Sequence, residues 1–263
     1  MNPQKKKIIS HLLSDYHLLS FDELDSTNEE AKRLAKAGGS HGAVVWAKRQ
    51  SAGKGRMGRE WISADGNLFV SLLLQPEKPL AELAQLSFVA ALAAQEAIAP
   101  MLERDKELKT KWPNDILLDD KKLGGILLES FRTDGNEKPW VVVGVGINID
   151  SFPPQTEFPA TCLKDAGVEL VSAKIILSRF VHHFMERYDQ WNNKGFTSIR
   201  KAWLGHAWRL KERITARLPT GGIDTNIEGI FDGIDASGSL VIIPDVGKKQ
   251  TIHAADVYDA SSH

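Results

Sequence analysis

The segments Asn67–Leu74 and Trp140–Ile149 are apolar almost without interruption. Runs this short, rich in Val, Leu and Ile, read as strands. A strand that is apolar on both sides has to be covered on both sides. The chain must therefore build a sheet with its best strands at the centre and supply helices to cover it. Further strands are read at Leu18–Leu24, Ala43–Ala47, Leu108–Lys111, Ile116–Leu118 and Gly125–Phe131. Asp119-Asp120-Lys121-Lys122 forms a charged hairpin turn between the last two.

The covering elements show a helical period. Pro79 and Pro100 bracket a long Ala/Leu-rich helix that is apolar enough to be a buried core element. Ser172–Trp191 places Ile175, Ile176, Phe180, Phe184 and Tyr188 on one side, and a short helix follows at Thr197–Leu204. The paired His182 and His183 on that helix read as structural. Ser26 and Glu29 have capping-box spacing ahead of a helix that runs to Ala37, where Gly38-Gly39 stops it. Ile8, Ile9, Leu12, Leu13 and Tyr16 suggest an amphipathic opening helix. Ser151–Leu163 holds three prolines and no periodicity, so it is a loop. Beyond Gly205 the character changes to short strand-like runs at regular spacing, the mark of a small β-barrel. The expected fold is α+β: a mixed β-sheet flanked by helices in a catalytic domain at 1–205, then a barrel at 206–263.

Composition excludes several classes. The formal net charge of −1 does not suit a wholesale nucleic-acid binder. The single cysteine, Cys162, rules out an intramolecular disulfide framework and a Cys-rich zinc site, and fits a reducing cytoplasm. No stretch reaches the roughly 18 uninterrupted apolar residues of a membrane span. There is no P-loop, no His-Glu-x-x-His motif and no Gly-x-Ser-x-Gly elbow.

The most informative segment for chemistry is Gln50–Trp61. Gly53, Gly55 and Gly58 alternate with Lys54, Arg56 and Arg59. Glycine permits close backbone approach, and the cations suit carboxylate and phosphate. The loop is either a flexible clamp over an anionic small molecule or a solvated turn. Ser26-Thr27-Asn28 is either a helix cap or a set of polar ligand contacts at a helix N-terminus. Lys111-Trp112-Pro113-Asn114-Asp115 sets five functional residue types between two buried strands, which favours a site over a plain turn. Lys122 precedes Leu123-Gly124-Gly125, where paired glycines allow close approach to a ligand. Gly144-Val145-Gly146-Ile147-Asn148 lacks the third glycine and the following helix of a dinucleotide fingerprint, so that reading is rejected. Asn148 remains a plausible polar contact.

Occurring together and in this order, these segments resemble those of the bacterial biotin protein ligases (biotin–[acetyl-CoA-carboxylase] ligases), from about residue 20 to the C-terminus. The resemblance implies a class II aminoacyl-tRNA synthetase-like sheet followed by an SH3-like barrel. It implies formation of biotinyl-5′-AMP from biotin and MgATP, then transfer of biotin to a lysine of the biotin carboxyl carrier protein of acetyl-CoA carboxylase. In that scheme Lys122, Arg56 and Asp115 are catalytic. Ser26, Thr27, Asn28, Gln50, Gly53, Lys54, Arg56, Lys122, Gly124 and Gly125 bind biotin. Arg56, Arg59, Trp61, Lys111, Asn114 and Asn148 bind ATP and the adenylate. Loop 151–163 covers the adenylate. Magnesium arrives with ATP and has no fixed protein site.

About 20 residues precede the first catalytic strand, so a monofunctional enzyme without the DNA-binding domain of bifunctional relatives is expected, and its expected location is cytoplasmic. No DNA or membrane partner is expected, and the state is monomer or homodimer. The alternatives are a lipoate or octanoate ligase or transferase of the same superfamily, and a non-catalytic biotin-binding regulator.

Overall fold

The computed structural model describes residues 8–13, 16–134, 138–169, 171–218 and 225–260. An eight-stranded sheet dominates. Its strands are β1 (Ile8–Leu13), β2 (Tyr16–Leu24), β3 (Ala43–Gln50), β4 (Leu68–Leu74), β5 (Leu108–Lys111), β6 (Asp115–Leu118), β7 (Lys121–Phe131) and β8 (Trp140–Ile147), in the spatial order β1-β2-β3-β4-β8-β7-β6-β5. The two most apolar runs, β4 and β8, are neighbours at its centre. Among the described strands of this sheet, β2 and β3 pair in parallel and the other pairings are antiparallel. Helix α1 (Thr27–Lys36) makes the crossover between them.

The two faces are covered differently. On one, Ala31 and Ala35 of α1 pack with Leu19, Phe21, Val45, Leu73 and Val142. On the other, α2 (Leu86–Ile98) and α3 (Ala173–Lys194) carry the larger core. Buried Gln85 joins these helices by accepting the Trp191 Nε1 proton at 2.7 Å. By length and composition Leu80–Met101 could cross a membrane, but 78% of its most apolar window is buried inside the fold.

Helix α4 (Phe196–Leu204) leads to a second sheet of β9 (Arg213–Leu218), β10 (Thr225–Ile234), β11 (Leu240–Pro244), β12 (Gln250–Ile252) and β13 (Asp256–Asp259). All its pairings are antiparallel, in the order β12-β11-β10-β9-β13, and it fits a small SH3-like domain. Ile214, Phe231, Ile242 and Val257 from this sheet join the same apolar cluster as Phe88 of α2 and Trp203 of α4. Trp112 Nε1 donates to Gly238 O at 2.9 Å in the same seam.

Four local expectations need correction. Ile8–Leu13 is an edge strand paired antiparallel with β2, not a helix. The β-branched Ile8-Ile9 pair suits a strand, and the open edge of β2 supplies the hydrogen bonds. The Pro79–Pro100 helix is split, with 3-10 turns at Leu80–Gln85 and Ala99–Met101 flanking α2. The capping box does not form: Ser26 occupies the N-cap position but makes no side-chain cap bond. Gln50 Oε1 reaches over from β3 and accepts the N–H of Thr27, the first residue of the helix, at 2.7 Å. On α3, Ile175, His182 and Glu186 are exposed, so the two histidines are not core groups. His183 lies 3.2 Å and His182 3.7 Å from the Glu186 carboxylate. The hairpin turn between β6 and β7 does form, with Asp119 and Asp120 both in the left-handed region at φ 49° and 61°, as a two-residue type I′ turn requires.

Gln85→Leu should cost about 1–3 kcal/mol, because the buried Trp191 indole N–H loses its acceptor at nearly constant volume. Urea unfolding measures this. The loss should shrink when Trp191 is also changed to Phe.

Candidate active site

A cavity of about 330 Å³ opens on the face of the large sheet that α1 covers. Side-chain alternation along β8 explains how it arises. Val141, Val143, Val145 and Ile147 point into the α2/α3 core. Trp140 and Val142 point toward α1, and the next two positions on that face are Gly144 and Gly146. Gly146 pairs across the ladder with Gly125 of β7. A Cβ on Gly144 would stand 2.2 Å from Asn28 Oδ1. One on Gly146 would stand 2.6 Å from the Trp61 ring, and one on Gly125 would be 3.2 Å from it. These glycines serve by lacking side chains, so that Asn28 and Trp61 can lie on bare backbone.

One end of the cavity is polar and neutral. Thr27 Oγ1 lies 3.1 Å from Gln50 Oε1. Gln50 Nε2 donates to Ser63 Oγ at 2.9 Å. Ser71, fully buried on β4, places its hydroxyl 2.7 Å from Thr27 Oγ1 and 2.5 Å from Asn28 Oδ1. Asn28 Nδ2 donates to Glu129 at 2.8 Å. Most of these donors and acceptors are fixed by one another, which aims the exposed edges of Ser26, Thr27 and Gln50 into the cavity.

The other end gathers positive charge. Lys122 Nζ lies 2.7 Å from Asp115 Oδ1 and 5.6 Å from the centre of the Trp61 ring. Asn114 ties two parts together: its Nδ2 donates to Ile126 O at 2.6 Å, and its Oδ1 accepts from Arg56 Nη1 at 3.1 Å. Burial lowers the pKa of Arg56, against the opposing charges of Asp256 and Asp115. Burial is the largest influence on Arg59 and works against its charge, but the hydrogen bonds to Asp256 and the negative charges of Asp256 and Asp115 together outweigh it and raise its pKa.

Lys111 is 5% exposed and sits in an aromatic box. Its Nζ is 3.5 Å from the centre of the Phe158 ring, 5.4 Å from Trp208 and 5.5 Å from Tyr258. Desolvation pushes its pKa down to about 8. The box ties loop 151–163 to the second sheet. Glu157 on that loop accepts from Tyr258 Oη at 2.8 Å and from Arg217 at 2.7 Å.

Most residues singled out in the sequence line this one cavity. Gly53 and Gly124 stand behind its wall. A Cβ on Gly53 would strike Trp61 O at 2.3 Å, and one on Gly124 would strike Gly146 O at 2.8 Å, so both glycines permit backbone crossings. Lys54 borders the cavity, but its ammonium pairs with Glu29 at 2.6 Å. The Asn148 amide donates to Thr161 O at 3.0 Å, which fastens the covering loop to the sheet. The sequence reading missed Ser71, Glu157, Tyr258 and Asp256. It also missed the period-two glycines of β8 as a clue to a cleared sheet face, because they were weighed only as a nucleotide fingerprint.

Residues 20–148 match the Biotin/lipoate A/B protein ligase family, and residues 212–258 match the Biotin protein ligase C terminal domain. The chain is 41% identical to a biotin–[acetyl-CoA-carboxylase] ligase of Paracoccus denitrificans, over 89% of this chain and 97% of that one. It is 34% identical to a bifunctional ligase/repressor of Bacillus subtilis, over 92% of this chain and 73% of that one. The fold matches a biotin protein ligase from Aquifex aeolicus in complex with biotin and ATP. There the TM-score is 0.77 and the identity 28%, covering 92% of this chain and 99% of that one. A ligase from Leishmania major in complex with biotinyl-5-AMP matches at a TM-score of 0.62 and 25% identity, covering 92% and 100%.

Lys111→Met should raise stability near pH 7 by roughly 1–3 kcal/mol, since each pKa unit of depression is worth about 1.4 kcal/mol and the aromatic rings offset part of it. The burial penalty is fully present below pH 8 and fades as pH rises toward 10.5, where the unfolded lysine also loses its proton. Melting temperatures at pH 7 and pH 10 read the difference. Activity should fall in the same variant.

Proposed function

The chain belongs to the biotin protein ligase family, and from that membership we infer how its cavity works as an ATP-dependent biotin protein ligase. The reaction has two steps. A biotin carboxylate oxygen attacks the α-phosphorus of ATP, pyrophosphate leaves, and biotinyl-5′-AMP forms. The amine of a carrier-protein lysine then attacks the acyl carbon of this mixed anhydride. The amide bond forms, AMP leaves, and the amine gives up a proton.

The first step must bring two anions together. Like unit charges about 4 Å apart repel by about 4 kcal/mol at an effective dielectric constant near 20. The observation that carries the assignment is that Lys122 and Arg56 share one cavity with an uncharged polar end. Thr27, Gln50 and Ser26 supply hydrogen bonds to the ureido ring there, which needs donors and acceptors and no net charge. Because Gly125, Gly144 and Gly146 let Asn28 and Trp61 sit down on the sheet backbone, room is left beside those two side chains for the flat bicycle. Lys122 pairs with the carboxylate. Its partner Asp115 and the Asn114–Arg56 bond hold the two cations on either side of the reacting atoms. Arg56 secures the α-phosphate and Arg59 the departing phosphates. Preformed positive charge of this kind stabilises the transition state without reorganising water. Trp61, seated on the Gly125 and Gly146 backbone, walls the bicycle, while Lys111 and loop 151–163 close over the adenylate.

Magnesium neutralises the outgoing phosphates when it is bound. Asp115 is a carboxylate of the right type at the edge of the site, but it is already paired with Lys122. We therefore place the ion on the nucleotide rather than in a protein cage. The acceptor is the biotin carboxyl carrier protein of a carboxylase, and the reaction is placed in the cytoplasm. The boundary between the catalytic part and the second sheet is placed near Gly205, after α4.

Lys122→Ala should slow single-turnover adenylate formation by about 10²–10³-fold, with the far-ultraviolet circular dichroism of the native chain retained. An unchanged rate would refute the role of Lys122. Pyrophosphate exchange should be driven by biotin and not by lipoate, and labelled biotin should reach a carrier domain only when ATP is present. Exchange driven by lipoate alone would move the assignment to the lipoate branch of the family.

A further inference from the structure

The arginines of the Gly/Arg loop are met by a carboxylate from the far end of the chain. Asp256 opens β13, an outer strand of the second sheet, where it pairs in register with Arg217 of β9. Both oxygens of its carboxylate lie 3.0 Å from Arg59 Nη2, and one lies 3.9 Å from Arg56 Nη1. The same carboxylate lines the cavity. Arg59 Nε is already committed to Arg56 O at 3.3 Å, so Asp256 holds one of the two remaining guanidinium nitrogens.

A carboxylate and a phosphate bind guanidinium in the same way, through in-plane oxygens on N–H donors. The two therefore compete for Arg59, and the negative charge of Asp256 opposes an arriving triphosphate. We propose that Asp256 is a counter-ion which ATP displaces from Arg59, and that it tunes how tightly ATP and outgoing pyrophosphate are held. In the free enzyme it keeps both arginines aimed into the cavity. After adenylate forms it competes again for Arg59 and favours pyrophosphate release. This rests on the ligase reading, and on Arg59 facing the departing phosphates. It makes Asp256 a positioning residue whose effect is confined to the phosphate side.

Asp256→Asn removes the charge and keeps the shape. In biotin-dependent pyrophosphate release, the KM for ATP should fall about three- to tenfold, and the inhibition constant of added pyrophosphate should fall by a similar factor. The KM for biotin should move less than about twofold. Asp256→Glu should stay near the native values. In an Arg59→Ala background the effect of Asp256→Asn should largely vanish. Asp256→Ser serves as the second neutral variant if Asp256→Asn proves unstable in thermal melts. An unchanged or raised KM for ATP in a folded neutral variant overturns the proposal, because the carboxylate would then only tie the second sheet to the loop. A native chain that releases no pyrophosphate with biotin and ATP overturns the ligase reading and this proposal together.

Discussion

The site depends on removing side chains from one face of a sheet whose other face must stay filled. Val143, Val145 and Ile147 keep the α2/α3 core continuous. Gly144, Gly146 and Gly125 leave a bare strip of backbone on the opposite side, at the centre of the fold. An interior at native packing density does not tolerate an unfilled gap without cost. Asn28 and Trp61 fill part of the strip, one from a helix start and one from a loop. What remains is a cavity bounded by the start of α1 on one side and by the Gln50–Trp61 segment on the other. That segment carries Trp61 together with Arg56 and Arg59, so one stretch of chain supplies both an aromatic wall and two cations.

The charges around this space are arranged as pairs. Lys122 has Asp115, Arg59 has Asp256, and Lys54 has Glu29. Among the described residues, Arg56 has the neutral Asn114 oxygen at hydrogen-bond distance and Asp256 further off. Lys111 has aromatic faces in place of a carboxylate. The cations least compensated by close anions are thus the most buried ones. Burying charge without a partner destabilises a fold. A site of this kind trades stability for an affinity that appears only when the anionic substrate arrives.

Much of this was legible in the chain. The strands β3, β4, β5, β6, β7 and β8 follow from short apolar runs and the Asp119-Asp120 turn, because these signals are local. The helix stop at Gly38, with φ +80°, is local too. Errors fell where a tertiary partner outweighed the local signal. An open sheet edge made Ile8–Leu13 a strand. Ser26 makes no side-chain cap bond, and a glutamine from β3 serves the first amide of the helix, Thr27 N–H. Glu29, matched on paper to the cap, turned toward Lys54 and Lys32 because two cations outbid one backbone amide. Ser71 reads as one polar residue in an apolar strand until Asn28 and Thr27 are brought above it.

The sequence by itself determined which local segments bring cations and bare backbone to the site. The glycine–cation loop, the Lys111–Asp115 cluster and Lys122 belong to segments short enough to be read whole, and their chemistry resides in side-chain type. The tertiary structure alone decided which charges face each other. Arg59 meets Asp256 across 197 positions of chain. Lys111 meets Phe158, Trp208 and Tyr258 from three separate segments. Coulombic and aromatic contacts act over a few ångströms of space and take no account of separation along the chain. No spacing in the sequence could therefore announce them before the second sheet was packed against the first.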